Sequence, residues 1–335
     1  MSDDTEHSTG DTGLASPGKR APGETQEPTL SVVIPSYNGA PVIADCVAAL
    51  LAQETDFGLE VIVVDSSSDE TPRLIPERFP QVRFLPFDKQ TAAPRARNVG
   101  LAAARGQILG LMDQDCIVDP GWAQGMVEAH RQHPEVGAIA GGIRPANPRR
   151  LLGLANFYIE FREFNHVRPQ ELTSNWITCN VTLKRELWDR FGPFPEDLWP
   201  GDDVIVAQAA AAAGEKVLFA PQLSLAHVNR SSLRAILPHA RKLGWASAQI
   251  RRRLPTVPDE WMVRYPLSVL AIPLARPLRV LGCFLKWRPL AALKALPLFP
   301  VMSLICVWWS RGFWEGAREQ TAATRAVGTS EGDHE

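Results

Sequence analysis

The sequence is poor in cysteine. Its 335 residues hold five, Cys46, Cys116, Cys179, Cys283 and Cys306, widely scattered with no Cys-x-x-Cys pair and one left over. That excludes a disulfide framework or a zinc knuckle and fits a reducing compartment. Nor does either charge dominate. A net charge of −2 excludes a nucleic-acid binder working by bulk electrostatics. The mean hydropathy of −0.10 excludes a polytopic transporter, though not a few membrane-seeking segments. No internal repeat is evident. With 45% hydrophobic and 21% charged residues the chain is neither disordered nor collagen-like, and its length suits one large or two ordinary domains.

What is present is unevenly spread. Residues 1–28 carry six acids against two bases, are rich in Ser, Thr, Gly and Pro, and lack an apolar run. They are expected to form a disordered leader without an export signal. From Arg251 to Arg318 there are eleven bases against three acids, in the most apolar part of the chain. Basic and apolar together suggest a membrane surface. Residues 319–335 are expected to be a disordered tail.

Between these ends strands and helices alternate. Leu30–Pro35 is a short apolar run, consistent with a buried parallel strand. Pro41 suits the first position of a helix whose apolar face is Val42, Ile43, Cys46, Val47, Leu50 and Leu51. Further strands are expected at Leu59–Val64, Val82–Phe87 and Gln107–Met112, with a small-residue helix at Pro94–Arg105. Such alternation implies a parallel, doubly wound sheet with ligands at the carboxyl edge of its strands.

Three polar clusters fall at those strand ends: Ser36-Tyr37-Asn38, Asp65 to Asp69, and Asp113-Gln114-Asp115. An Asp-x-Asp pair leaving a buried strand offers hard oxygen ligands to Mg²⁺ or Mn²⁺, ions that commonly bridge to phosphates. Each residue also has a plainer use. Asp65 can close an Asx-turn, the neighbouring serines can form turns, and Tyr37 can pack as an aromatic or stack on a base.

These residues resemble a known family. SVVIPSYNG, IVVDSSSDET and ARNVGLAAARGQILGLMDQD are similar to the nucleotide-binding half of family 2 glycosyltransferases with a GT-A fold. CNVTLKRELWDRFGPFPEDLWPGDD resembles that family's acceptor-side signature, and LAHVNRSSLRAI with Gly244 its His-bearing stretch. The match spans about residues 29–250. It implies a Rossmann-like α/β domain with a mainly parallel central sheet; the basic, apolar segment 251–318 beyond it is expected from its composition to be helical and membrane-associated. The match also implies that Tyr37 and Asp65 hold the nucleotide base, with Pro35 and Ser36 shaping the loop. Arg97 would sit near the diphosphate, supported by Asn98. Asp113 would contact ribose or metal, Asp115 would ligate Mg²⁺ or Mn²⁺, and His227 would approach the metal or the diphosphate. Asp203 would be the general base, and Trp176, Asn180 and Asp202 would lie on the acceptor side. The chain departs from the family's pattern at Ser66, where a second acid or Asn is usual, and at Asp202-Asp203 in place of Glu-Asp. At that pair, Asp202 as a helix cap and Asp203 as a first-turn acid is the alternative.

The activity so implied is metal-dependent, inverting transfer of a sugar from a nucleoside-diphosphate donor to a glycan or lipid-linked acceptor, with no nucleic-acid partner. A nucleotidyltransferase is one rival, though SYNGAP lacks the Gly-rich loop with Arg that class uses; a non-catalytic nucleotide-sugar binder is another. In Tyr265–Leu285, Arg276 and Arg279 would each cost about 2.5–3.5 kcal/mol at a bilayer centre, against about 0.3–0.6 gained per apolar residue. An interfacial helix is therefore expected there, while the uncharged stretch Ala295–Trp309 is expected to add to anchoring on the cytoplasmic side of the membrane.

Overall fold

The computed structural model describes residues 27–254, 257 and 259–319. Most of the expected leader and nearly all of the expected tail lie outside the described residues. The chain opens with strand β1 (Leu30–Ser36), helix α1 (Ile43–Leu51), β2 (Leu59–Asp65), α2 (Thr71–Arg78), β3 (Arg83–Pro86), α3 (Ala93–Ala103) and β4 (Ile108–Leu111). Each strand seen in the sequence is there, and the central ones are covered on both faces: every residue of β1 is buried. Pro41 is placed differently from expectation. It lies in the turn before α1, and the helix starts two residues later at Ile43.

There follow β5 (Cys116–Val118), α4 (Trp122–Gln132), β6 (Ala138–Pro145), α5 (Leu151–Glu160), β7 (Glu171–Thr173), β8 (Val181–Lys184), α6 (Arg185–Phe191), α7 (Asp202–Ala212) and β9 (Val217–His227). The sheet order is β3-β2-β1-β4-β8-β6-β9-β5, with β7 paired to β9. From β3 to β4 all pairings are parallel, as expected for nucleotide-binding topology. Beyond β4 the sheet turns mixed, with β8 antiparallel to both β4 and β6, and β5 antiparallel to β9. The first half of the sheet is therefore wholly parallel, while the second half mixes these antiparallel pairs with the parallel pair β6 and β9.

Close packing fixes α3 over β1 and β2. A Cβ on Gly100 would collide with Val33 and crowd Val64, so only glycine lets the helix approach this closely. Arg97, one turn earlier, is thereby held at the edge where β4 ends.

The last segments are helical: α8 (Leu233–Arg253), α9 (Trp261–Arg264), α10 (Ile272–Trp287), α11 (Pro289–Ala295) and α12 (Phe299–Arg318). Helix α8 crosses the expected domain boundary at residue 250. It shares a core with α5, α10 and α12 that includes Ile159, Ile236, Ala240, Phe284, Met302 and Ile305. Its axis lies unusually near that of α12. A Cβ on Gly244 would strike the Trp309 carbonyl, and one on Gly312 the Arg241 carbonyl. Ala295–Trp309 is divided between two sides: Met302, Ile305, Cys306 and Trp309 are buried against protein, while Leu296, Leu304 and Val307 are exposed.

Candidate active site at the strand ends

Parallel register sets Ser36 of β1 beside Asp65 of β2, so their following loops run together. Asn38 lies in the left-handed region at φ 49°. Its Oδ1 accepts from the Ser68 amide at 2.9 Å, and its own amide donates to Ser67 Oγ at 2.7 Å. Ser67 Oγ in turn donates to Asp65 Oδ1 at 2.6 Å and its amide to Oδ2 at 3.2 Å. Asp65 is buried and closes this Asx-turn, so both its oxygens serve the loop. Pro35 is buried inside β1 opposite Val64. Tyr37 is 41% exposed. Its backbone is clamped by Gln114, which accepts from the Tyr37 amide at 3.0 Å and donates to its carbonyl at 3.1 Å.

Arg97 is buried and forks between two carboxylates. Its Nη1 donates to Asp202 Oδ2 and its Nη2 to Asp113 Oδ1, both at 2.9 Å. Burial alone would favour loss of its proton, but Asp202 and Asp113 outweigh that and hold it charged. Arg97 thus links Asp113, just past the end of β4, to Asp202 at the start of α7. The neighbouring Asn98 donates to the Phe194 carbonyl at 2.9 Å and accepts from the Phe194 amide at 2.9 Å.

Asp202 needs correction. Expected on the acceptor side, it is 2% exposed and spent on Arg97. The cap of α7 is Gly201, at φ 108°, so Asp202 and Asp203 both occupy the first turn. Asp203 accepts from the Thr178 amide at 3.4 Å and from the Val204 amide at 2.9 Å. Burial first, and then the charge of Asp202, push its carboxyl up to about 7, against the pull of Arg97. A carboxylate with that proton affinity is suited to exchange a proton near neutrality.

Asp115 and His227 meet where β5 pairs with β9, Asp115 Oδ1 lying 3.4 Å from His227 Nε2. His227 Nδ1 is 3.0 Å from Asn229 Oδ1, an acceptor, which places the ring proton on Nδ1. With that proton on Nδ1, Nε2 faces the Asp115 oxygen as an acceptor, and a proton or a metal ion shared between them satisfies both. The Phe161 ring, 4.7 Å away by centroid, walls the imidazole. A carboxylate oxygen and an imidazole oriented by an outer partner fit a divalent ion such as Mn²⁺. Cys116 Sγ lies within the same 4.8 Å cluster, but burial holds its thiol protonated.

Asn180 and Trp176 also need correction. Asn180 is fully buried, accepts from Trp122 Nε1 at 2.9 Å, and donates to the Gly142 and Leu223 carbonyls at 2.9 and 3.1 Å. It welds the mixed half of the sheet and has no atom left for an acceptor. Trp176 is likewise in the core, at 2% exposure. Trp199, by contrast, is exposed beside α7, with Lys242 Nζ 3.3 Å from its ring centroid. Sequence reasoning missed the jobs of Gln114 and Asn229. The first was visible as the middle of Asp-x-Asp, and the second only as a polar residue two places past the histidine.

Residues 31–191 match the family model for glycosyl transferase family 2. The chain carries a family 2 glycosyltransferase domain. Its relatives include the glycosyltransferase AglE of Haloferax volcanii, 28% identical over 208 residues, covering 61% of this chain and 68% of AglE. The succinoglycan biosynthesis protein ExoO of Rhizobium meliloti is 30% identical over 234 residues, covering 63% of this chain and 64% of ExoO. The chain thus spans about two thirds of these two relatives. Among solved structures, the mannosyltransferase PcManGT of Pyrobaculum calidifontis, in complex with GDP-Man and Mn²⁺, superposes with a TM-score of 0.57 at 23% identity, covering 91% of this chain and 92% of that one. That likeness establishes the GT-A fold of the glycosyltransferase domain.

Proposed function

We propose that the domain transfers a sugar, with inversion, from a nucleoside-diphosphate donor to an acceptor hydroxyl. One observation carries this reading: Asp203, a carboxyl raised to about 7, is tied through Asp202 and Arg97 to the strand end bearing Asp113 and Asp115. A base poised near neutral pH beside a phosphate-binding edge is what in-line displacement at an anomeric carbon requires.

Tyr37 stacks on the nucleotide base above the loop that Asp65 closes. Asp115 and His227 hold Mg²⁺ or Mn²⁺, which when bound neutralises the departing diphosphate. Asp203 accepts the hydroxyl proton of the acceptor as that oxygen attacks. Asp202 is paired with Arg97, and its charge is one cause of the raised proton affinity of Asp203. Trp199, exposed next to α7, offers a face for a sugar or lipid-linked acceptor. The succinoglycan biosynthesis protein among the relatives supports a glycan acceptor, and the reading extends to a lipid-linked one on the cytoplasmic side of a membrane. Residues 29–250 form the transferase unit and 251–318 its membrane-facing unit, with α8 common to both.

The test is release of nucleoside diphosphate from a panel of nucleotide sugars, with Mn²⁺ and with a chelator. One donor should be consumed in the metal-dependent arm. Metal-independent turnover, or uridylyl or guanylyl transfer to a sugar phosphate, would overturn the reading.

A further inference from the structure

The catalytic residues leave the outer face of the C-terminal helices without a task. Leu267, Leu270, Leu274, Leu278 and Leu285 are all exposed, Leu270 at 74%. Their spacings of three, four, four and seven put them along one side of the helix formed by Pro266–Trp287. Leu290, Leu293 and Leu296 continue the exposed row along α11 and just past its end. Arg279 and Lys286, seven apart and both exposed, run along one edge of that row, about 100–120° round the helix by its regular turn. Arg264, Arg288 and Lys294 are exposed as well. From Trp261 to Trp314 the sequence has seven bases and no acid.

We propose that this face lies in the plane of an anionic lipid bilayer, leucines in the acyl boundary and Arg279, Lys286 and Lys294 among the phosphates. It rests on, and specifies, the membrane-facing unit of the preceding reading. Charge decides the occupant. A second copy using the same face would set like charges against one another, whereas anionic headgroups complement them.

Packing decides the depth. Helices α10 and α12 each keep one side on protein: Phe284 of α10 meets Tyr158 edge-on at 4.9 Å, and α12 is locked to α8 at Gly312. Ser310 Oγ also donates to the Val269 carbonyl at 2.9 Å. A spanning hairpin would have to give up these contacts; a helix lying on the surface keeps them all. Arg276, which a spanning segment would carry into the acyl region, is turned inward with its guanidinium 4.7 Å from the Trp309 ring centroid.

Sedimentation of the full chain with vesicles tests this. It should bind phosphatidylglycerol-containing vesicles, bind pure phosphatidylcholine weakly, and be released by alkaline carbonate. Leu270→Gln, Leu274→Gln and Leu278→Gln together should lower binding by roughly a hundredfold or more, with donor turnover in solution unchanged. Arg279→Gln, Lys286→Gln and Lys294→Gln together should lower it roughly a hundredfold on anionic vesicles and leave neutral ones unaffected. Full binding by the leucine variant, retention through carbonate, or leucine-dependent dimers without vesicle binding would each overturn the proposal. Vesicle binding by a protein that turns over no donor would sink the catalytic reading alone.

Discussion

Along β1 every residue is buried, and the polar groups that follow it are bonded to one another from Asn38 through Ser67 to Asp65. Along α10, α11 and the turns flanking them, eight leucines of one row stand in solvent beside arginines and lysines. Fully burying a leucine stabilises by about 1.5–3 kcal/mol, so the second region forgoes in water what the first uses to fold. Apolar residues in the sheet are explained by the fold, and those of the exposed row are not. Removing a group from the first region should therefore act in solution, and removing one from the outer face of the second should not.

The largest expected effect is at the first turn of α7, which Arg97 ties to the sheet edge. Asp203→Asn should cut turnover by about 10²–10⁴ with donor affinity kept, in steady-state kinetics with separate donor titration. Near-normal turnover would remove the base assignment. Asn229→Ala should weaken metal activation about 10–100-fold by freeing the His227 ring, read as a shift in the Mn²⁺ concentration for half-maximal rate. Because burial and Asp202 raise Asp203 to about 7, its base form is lost as pH falls through that value. The rate should fall about tenfold per unit below it and level off above. A flat profile from about pH 5 to 8 would break the link between that raised proton affinity and function.

Helix packing gives the intermediate case. Gly312→Leu should cost about 1–3 kcal/mol in thermal unfolding, because α12 must back away from the Arg241 carbonyl. The smallest effect belongs to the exposed row. Leu274→Gln should change stability by no more than about 0.5 kcal/mol in detergent-free solution. A larger loss there would mean the leucines serve the fold after all, and the contrast between the regions would fail.

Local signals carried much of the first half of the molecule. Continuous apolar runs bounded by polar residues specify β1, β2 and β4, because strands covered on both faces leave no other solution. The Asx-turn at Asp65 was legible as an alternative, since its partner Ser67 is only two residues away. Contacts across long separations were not. Arg97 and Asp202 are 105 residues apart, and nothing local says that a buried arginine will find that acid. Asn180 and Trp176 were assigned to the acceptor side because a motif does not show which way a side chain faces in a mixed sheet. Nor does the uncharged run Ala295–Trp309 show which of its sides meets protein, because the glycine of α8 where the two helices cross lies far away in sequence.

Arg97 reaches two carboxylates on separate elements because its guanidinium is flat and presents donors at both ends. A lysine carries the same charge as a single compact point on a flexible stem and could hold one acid while releasing the other. The ends of β4 and α7 are therefore joined by the shape of the cation as much as by its charge. Spacing between the two halves of the site is fixed to the width of one planar group.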